Sequence, residues 1–217
     1  MLIATLNHNL PELTDNLVTQ LKRDPLFDEC ELMVVDNGSK ENLAKYTTHQ
    51  LEENIFFGGG FNVVLDYFLT TNHDYLYFLN NDLIFHGFSF LTKSLKEAKE
   101  SNAGVYSPSI INANTNQCHW KQMWNWGEGL RQVKWIDFQC PLIRRDVLEI
   151  IKQYPQELIY GWGLDFYTGI ITENNKINIG VDEFCKQAEG NMNNFFIHSE
   201  YKDQYLKLRT YGENYKT

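Results

Sequence analysis

Four short apolar runs in the first half of the chain, residues 2–6, 31–35, 55–57 and 75–79, each lead into a polar cluster. The clusters are Thr5-Leu6-Asn7, Asp36-Asn37-Gly38-Ser39, Gly58-Gly59-Gly60-Phe61-Asn62 and Asn80-Asn81-Asp82. Helical patterns separate the runs. Asn9 is placed to cap a helix with Pro11 in its first turn, and Leu13, Leu17, Val18 and Leu21 follow at helical spacing. Val63, Val64, Tyr67 and Phe68 give a second helical face, and Phe90, Leu91, Leu95 and Ala98 a third. Strands alternating with helices predict an α/β fold with a Rossmann-like, mostly parallel central sheet flanked by helices. Ligands of such sheets bind beyond the carboxyl ends of the strands, where the four polar clusters lie.

The second half carries weaker periodicity. Strands are expected at 105–111 and 177–181 and a helix at 144–152, with the remainder loop-rich and aromatic. All five tryptophans lie there: Trp120, Trp124, Trp126, Trp135 and Trp162. No Gly/Pro/Ser-rich linker separates the halves, so 1–217 reads as a single domain. The simplest division is a nucleotide-type first half, 1–112, and a variable second half, 113–217.

Charge narrows the function classes. With 19 Lys+Arg against 28 Asp+Glu the chain carries a formal charge of −9, which opposes non-specific binding to nucleic acid or to anionic lipid. A phosphorylated ligand would then need a metal ion or backbone amides to hold its charge. Apolar residues at 43% and charged residues at 22% fit a globular chain. Cys30, Cys118, Cys140 and Cys185 form no C-x-x-C pair, so they read as thiols in a reducing compartment. No apolar run approaches the roughly 20 residues of a membrane span, and the amino terminus lacks a signal-peptide pattern. The expected location is the cytoplasm, with at most a peripheral association with a membrane face.

Asn80-Asn81-Asp82 carries the most chemistry. A carboxylate at the end of an apolar strand is partly desolvated, and a divalent cation is one way to stabilise it. Asn80 adds a neutral oxygen two residues away. Read alone, the same residues also fit a capping Asp with turn asparagines, Asp36-Asn37-Gly38-Ser39 fits an ordinary turn, and the glycines fit a flexible connection. The glycine run does not match G-x-G-x-x-G, because Val63 stands where the last glycine belongs.

Order and spacing together are more specific. Ala4-Thr5-Leu6-Asn7, Val34-Val35-Asp36-Asn37-Gly38-Ser39, the segment from Asn54 to Asn62 and Leu79-Asn80-Asn81-Asp82 resemble, in sequence, the motifs of family 2 glycosyltransferases of the GT-A fold. The last is similar to the Asn-Asn-Asp variant of the Asp-x-Asp motif found among rhamnosyltransferase-like members. Further on, Trp135–Arg145 resembles the family's acceptor-side segment. Tyr160-Gly161-Trp162-Gly163-Leu164-Asp165-Phe166 falls where the family carries paired catalytic acids, with Leu164 replacing the first acid.

The resemblance implies an inverting, metal-dependent transfer of a sugar from a UDP- or dTDP-linked donor to a hydroxyl of a glycan or glycolipid. Asp165 would be the general base. Asp82 and Asn80 would hold Mn2+ or Mg2+, and Thr5, Asn7, Asp36, Asn37, Gly59, Gly60, Asn62 and Asn81 would line the nucleotide. Trp162, Trp126, Trp124 and His198 would contact acceptor or sugar, although a core role for the tryptophans and a structural role for His198 stay open. An inactive glycan- or nucleotide-sugar-binding module is the alternative, raised by Leu164 and Asn80. A sugar nucleotidyltransferase is a third reading, opposed by the lack of a basic Gly-rich loop after the first strand.

Overall fold

The computed structural model describes residues 1–40, 42–85, 87–111 and 131–186. Trp124, Trp126 and His198 lie outside the described residues. The chain alternates β1 (Leu2–Asn7), α1 (Pro11–Leu21), β2 (Glu31–Asn37), β3 (His49–Leu51), α2 (Phe56–Thr70), β4 (Tyr75–Leu79), α3 (Phe90–Glu100) and β5 (Ala103–Ile111). It continues with β6 (Arg131–Gln132), β7 (Leu142–Arg144), α4 (Arg145–Ile151), α5 (Leu164–Asn174) and β8 (Asn178–Lys186). One sheet runs in the order β3-β2-β1-β4-β7-β5-β8-β6. Its β3-β2-β1-β4 part is parallel throughout. β7 then enters antiparallel between β4 and β5, and β8 runs parallel to β5.

Alternation along the strands sorts the core into two layers. Leu2, Ala4, Leu76 and Phe78 join Phe61, Val64, Leu65 and Phe68 of α2 and Val147 and Leu148 of α4 on one face. Ile3, Tyr75, Tyr77 and Leu79 join Leu17 and Leu21 of α1 and Leu91 and Ala98 of α3 on the other. Tyr75–Leu79 is buried throughout, as expected of a strand covered on both faces. Phe61 is fully buried, with its ring 4.5 Å from Phe78, 5.3 Å from Phe138 and 5.3 Å from Tyr154. Burying a ring of this size stabilises by about 1.5–3 kcal/mol, here by joining α2 to residues of the second half.

Three expectations are corrected. Residues 55–57 are not a strand: α2 begins at Phe56 and carries Gly58, Gly59 and Gly60 in its opening turns. The glycines serve close packing. A Cβ on Gly58 would lie 2.2 Å from the Leu158 carbonyl oxygen, and one on Gly60 would lie 2.7 Å from Leu6 Cδ1. Asn9 does not cap α1; its φ is +55°, and the N-cap position is held by Leu10, with no side-chain cap bond. The second half is more regular than expected, since residues 164–174 form α5.

Cys30 and Cys140 are free thiols. Cys140 is buried and donates to Tyr77 Oη at 3.6 Å, and burial pushes its thiol pKa up. No helix among the described residues is long and apolar enough to cross a membrane.

Candidate functional site

Parallel pairing brings the carboxyl ends of β1, β2 and β4 to one edge of the sheet, with Asn7 opposite Asp36 and Thr5 opposite Leu79. Two kinds of polar residue gather there: those saturated by their own chain and those left with buried, unpartnered oxygens.

Asp36 belongs to the first kind. It is fully buried; Oδ2 accepts from Asn7 Nδ2 and from Ser39 Oγ, both at 2.7 Å, and Oδ1 accepts from Ser39 N at 2.9 Å. Asn7 Oδ1 also accepts from Thr14 Oγ1 at 3.0 Å, and Thr14 Oγ1 in turn accepts from Asn81 Nδ2 at 3.1 Å. One connected network therefore ties the end of β2 to α1 and to the loop after β4. Asn37 donates to the Phe56 carbonyl and accepts from Ile55 N, each at 3.0 Å, which fixes the start of α2. Asn62 likewise holds both backbone groups of Tyr154. Among the residues expected to line a nucleotide, Asn7, Asp36, Asn37 and Asn62 thus face their own chain and set the loops. Gly60 is buried against Leu6, while Gly59 and Asn81 are half-buried.

Thr5 Oγ1, Asn80 Oδ1 and Asp82 Oδ1 form the second kind: each is buried without a hydrogen-bond partner. Two further such oxygens, Asp15 Oδ1 and Thr47 Oγ1, belong to α1 and to the loop before β3. Three buried oxygens without a protein partner at or just beyond neighbouring strand ends leave lone pairs open to a ligand or water. Burial holds the Asp82 pKa above the ordinary carboxylate value. Amide and carboxylate oxygens suit a hard divalent cation. No group of three or more His, Cys, Asp or Glu that could hold a metal occurs among the described residues. A cation held by Asn80 and Asp82 would therefore take its other ligands from water and phosphate oxygens, as Mg2+ commonly does. The residues fit the group.

Asp165 stands in the first turn of α5. Its carboxyl is half-buried, and its pKa is pushed up to about 7, chiefly by burial, with the negative charge of Asp137 adding to the rise. The Phe166 N–H, donating to Oδ1 at 2.8 Å, opposes that shift. The segment that delivers Asp165 is anchored at Tyr154 by Asn62. Tyr154 Oη and Thr168 Oγ1 share a hydrogen bond of 2.7 Å, and Gly58 N donates to the Ile159 carbonyl at 2.7 Å. The Phe56 and Tyr160 rings meet at 4.4 Å.

Asp137 and Gln139 are not among the residues singled out from the sequence. The Asn80 N–H donates to the Gln139 carbonyl at 2.9 Å, and Gln139 Nε2 donates to Asp137 Oδ2 at 2.6 Å. Gln139 thereby links the Asn80–Asp82 loop to the carboxylate whose field acts on Asp165. Their only sequence signal is their place within the Trp135–Arg145 stretch. Trp162 is 36% exposed, and Phe166 is 48% exposed.

No protein-family model matches the chain, and no curated protein matches it in sequence. Solved structures do match in shape. TarS 1-349 of S. aureus, in complex with UDP-GlcNAc, superposes with a TM-score of 0.68 at 17% identity, over 87% of this chain and 59% of that one. The mannosyltransferase PcManGT from Pyrobaculum calidifontis, in complex with GDP-Man and Mn2+, gives 0.64 at 13% identity, over 88% of this chain and 57% of that one. The chain spans less than two thirds of the length of either structure. At these identities the likeness is one of fold: the α/β architecture is that of TarS in its UDP-GlcNAc complex and of the mannosyltransferase in its GDP-Man and Mn2+ complex.

Proposed function

We propose that the chain is an inverting, metal-dependent glycosyltransferase that moves a sugar from a UDP- or dTDP-linked donor to a hydroxyl of a glycan or glycolipid. The observation that carries this reading is the gathering of orphaned oxygens from Thr5, Asn80 and Asp82 where parallel strands end, in a fold shared with such enzymes. Asp165, joined to that loop through Gln139 and Asp137, supports it.

In this reading Asp165 accepts the proton of the acceptor hydroxyl while that oxygen forms a bond to the anomeric carbon. The bond from that carbon to the nucleoside diphosphate breaks on the opposite side. A positioned base typically contributes about 10²–10⁴-fold to rate, and most when its pKa lies near the working pH, as at Asp165. Asn80 and Asp82 would hold a divalent cation, Mn2+ or Mg2+, which would supply Lewis-acid compensation for the charge that develops on the leaving diphosphate. With a chain charge of −9, that compensation also favours donor binding. Asn7, Asp36, Asn37 and Asn62 act by holding the donor-side loops and the Asp165 segment. Leu164, which stands where the family carries an acid, is fully buried in the core, leaving Asp165 as the carboxylate of this motif. The halves 1–112 and 113–217 divide the work into donor and acceptor sides, and any membrane-borne acceptor is met peripherally.

Calorimetric titration of UDP, dTDP and GDP, with and without Mn2+ or Mg2+, on wild type and Asp82→Ala tests the reading. Metal-dependent binding lost in the variant is the expected result. Absence of nucleotide binding under every metal condition would overturn it. Loss of transfer in Asp165→Asn with donor binding kept separates an enzyme from a binding module.

A further inference from the structure

Helix α1 grips the loop that follows β4 on both sides of Asp82. Before Asp82, Asn81 Nδ2 donates to Thr14 Oγ1 at 3.1 Å. After it, the Gln20 side-chain amide reaches two backbone groups: Nε2 donates to the Leu83 carbonyl at 3.1 Å, and Oε1 accepts the Phe85 N–H at 2.9 Å. From the second half of the chain, the Gln139 carbonyl accepts the Asn80 N–H at 2.9 Å. The loop is thus tied at residues 80, 81, 83 and 85, yet Asn80 Oδ1 and Asp82 Oδ1 are buried and take no partner. The ties fix the backbone that carries these two oxygens without occupying the oxygens themselves.

The helix is a firm base for such a grip. Thr14, Leu17, Val18 and Leu21 are buried along it, and Leu17 and Leu21 pack in the core layer with Ile3 and Leu79. Thr14 is fully buried. Its one hydroxyl proton has Asn7 Oδ1 at 3.0 Å, nearer than the Leu10 carbonyl at 3.3 Å, which leaves a lone pair for Asn81.

We infer that α1 is the template of the cation loop, with Thr14 and Gln20 as positioning residues that set Asn80 Oδ1 and Asp82 Oδ1 for a divalent ion. The inference rests on the proposed function only in placing the cation at Asn80 and Asp82. A ligand oxygen held in place before the ion arrives loses less freedom on binding, so groups that hold it raise affinity without touching the ion. Losing an orienting group of this kind typically lowers metal affinity about 10–100-fold. Thr14→Val keeps the shape and removes the acceptor for Asn81, while Asn7 Oδ1 keeps the Leu10 N–H and Asp36 keeps Asn7 and Ser39. Gln20→Met keeps the length of the side chain and removes both hydrogen bonds to the loop.

Titration of Mn2+ into the full 217-residue chain, alone and with UDP, read by the EPR signal of the free ion, tests this. Far-UV circular dichroism identifies the variants that are folded at the titration temperature. Thr14→Val and Gln20→Met are each expected to weaken Mn2+ binding about 10–100-fold, and Thr14→Ser, which restores the hydroxyl, to bind like wild type. Asn81→Ala is expected to match Thr14→Val, and the double variant to be no weaker than either, because the two residues act through one hydrogen bond. A threonine that only stabilised the fold would leave the affinity of the folded chain unchanged. If Thr14→Val does not fold, Gln20→Met and Asn81→Ala, both at half-buried positions, decide the matter. Wild-type Mn2+ affinity in a folded Thr14→Val, Gln20→Met or Asn81→Ala, no recovery in Thr14→Ser, additive losses in the double variant, or no Mn2+ bound by wild type would each overturn the inference. Nucleotide titration of the same samples keeps the two ideas apart. Mn2+ binding that falls in the variants, with no nucleotide bound under any metal condition, removes the glycosyltransferase reading alone. Metal-dependent UDP binding that the variants leave intact removes the inference alone.

Discussion

Asn62 grips Tyr154 by both sides of its backbone: Nδ2 donates to the Tyr154 carbonyl at 3.0 Å and Oδ1 accepts the Tyr154 N–H at 2.9 Å. Both residues are buried, and the contact joins α2 to the segment that leads to Asp165. Asn62→Ala leaves the Tyr154 N–H and carbonyl unpaired in a buried place, which is expected to destabilise the fold by about 2–4 kcal/mol. Urea unfolding measures this. A variant as stable as wild type would remove Asn62 from the account of how the Asp165 segment is held.

Asp165 links activity and stability through pH. Its pKa of about 7 in the folded chain lies above the value of about 3.9 for a free Asp, so the folded state holds the proton more tightly. The resulting stabilisation is fully present below about pH 4 and is lost as pH rises through 7. Asp165→Asn is therefore expected to melt higher than wild type at about pH 8, with a smaller difference at about pH 5. Under the proposed function, with Asp165 as general base, the rate of transfer is expected to run the other way, rising through about pH 7 as Asp165 loses its proton. Melting curves and a kcat/KM profile check both signs.

Asp82 is expected to show the signature of a group retained for function. Its buried, unpartnered Oδ1 and its raised pKa both weigh against the fold when no cation is present. Asp82→Asn is then at least as stable as wild type in chelator at neutral pH. Addition of UDP with Mn2+ raises the Tm of wild type by mass action and leaves the variant unchanged. Differential scanning fluorimetry across chelator, Mn2+ and Mg2+ reads the outcome, and a variant stabilised equally would place the cation elsewhere.

Gly58→Ala probes the packing between α2 and the segment before α5. The added methyl would meet a backbone oxygen, that of Leu158, at 2.2 Å, and a backbone group cannot swing aside as a side chain can. Overpacking of this kind destabilises by about 1–3 kcal/mol. Because Gly58 N also donates to Ile159 O, the variant is expected to lose transfer while retaining nucleotide affinity. Denaturation and nucleotide titration together test that split.

Strands such as Tyr75–Leu79 were legible because all five residues are apolar and a polar cluster ends the run. The glycine run after Phe57 misled, since its pattern reads as a strand running into a loop, whereas its purpose is to let a helix touch Leu6 and Leu158. Helix α5 was hidden for another reason. Its buried positions include Thr168, Gly169 and Thr172, and the threonine hydroxyls are satisfied within the helix by Leu164 O, Thr168 O and Gly169 O. A polar, small-residue buried face carries no apolar period. Asn80–Asp82 could be picked out as a candidate by its position after a buried strand. The inward use of Asn7 and Asp36, and the approach of Asp137 to Asp165, depend on pairings between distant segments that no local pattern reveals.

The three residues of β7 also bear on how the chain reaches its native state. β4 finds one neighbour in β1, made before it, but its other neighbour is β7, made long after α3 and β5. During synthesis the apolar strand Tyr75–Leu79 therefore waits with one edge open, and an open apolar edge invites pairing with another chain. Long-range closures of this kind slow folding. Residues 142–144 act as a late wedge that seals the sheet, so the 1–112 half reaches its protected form only when residues beyond 112 have been made.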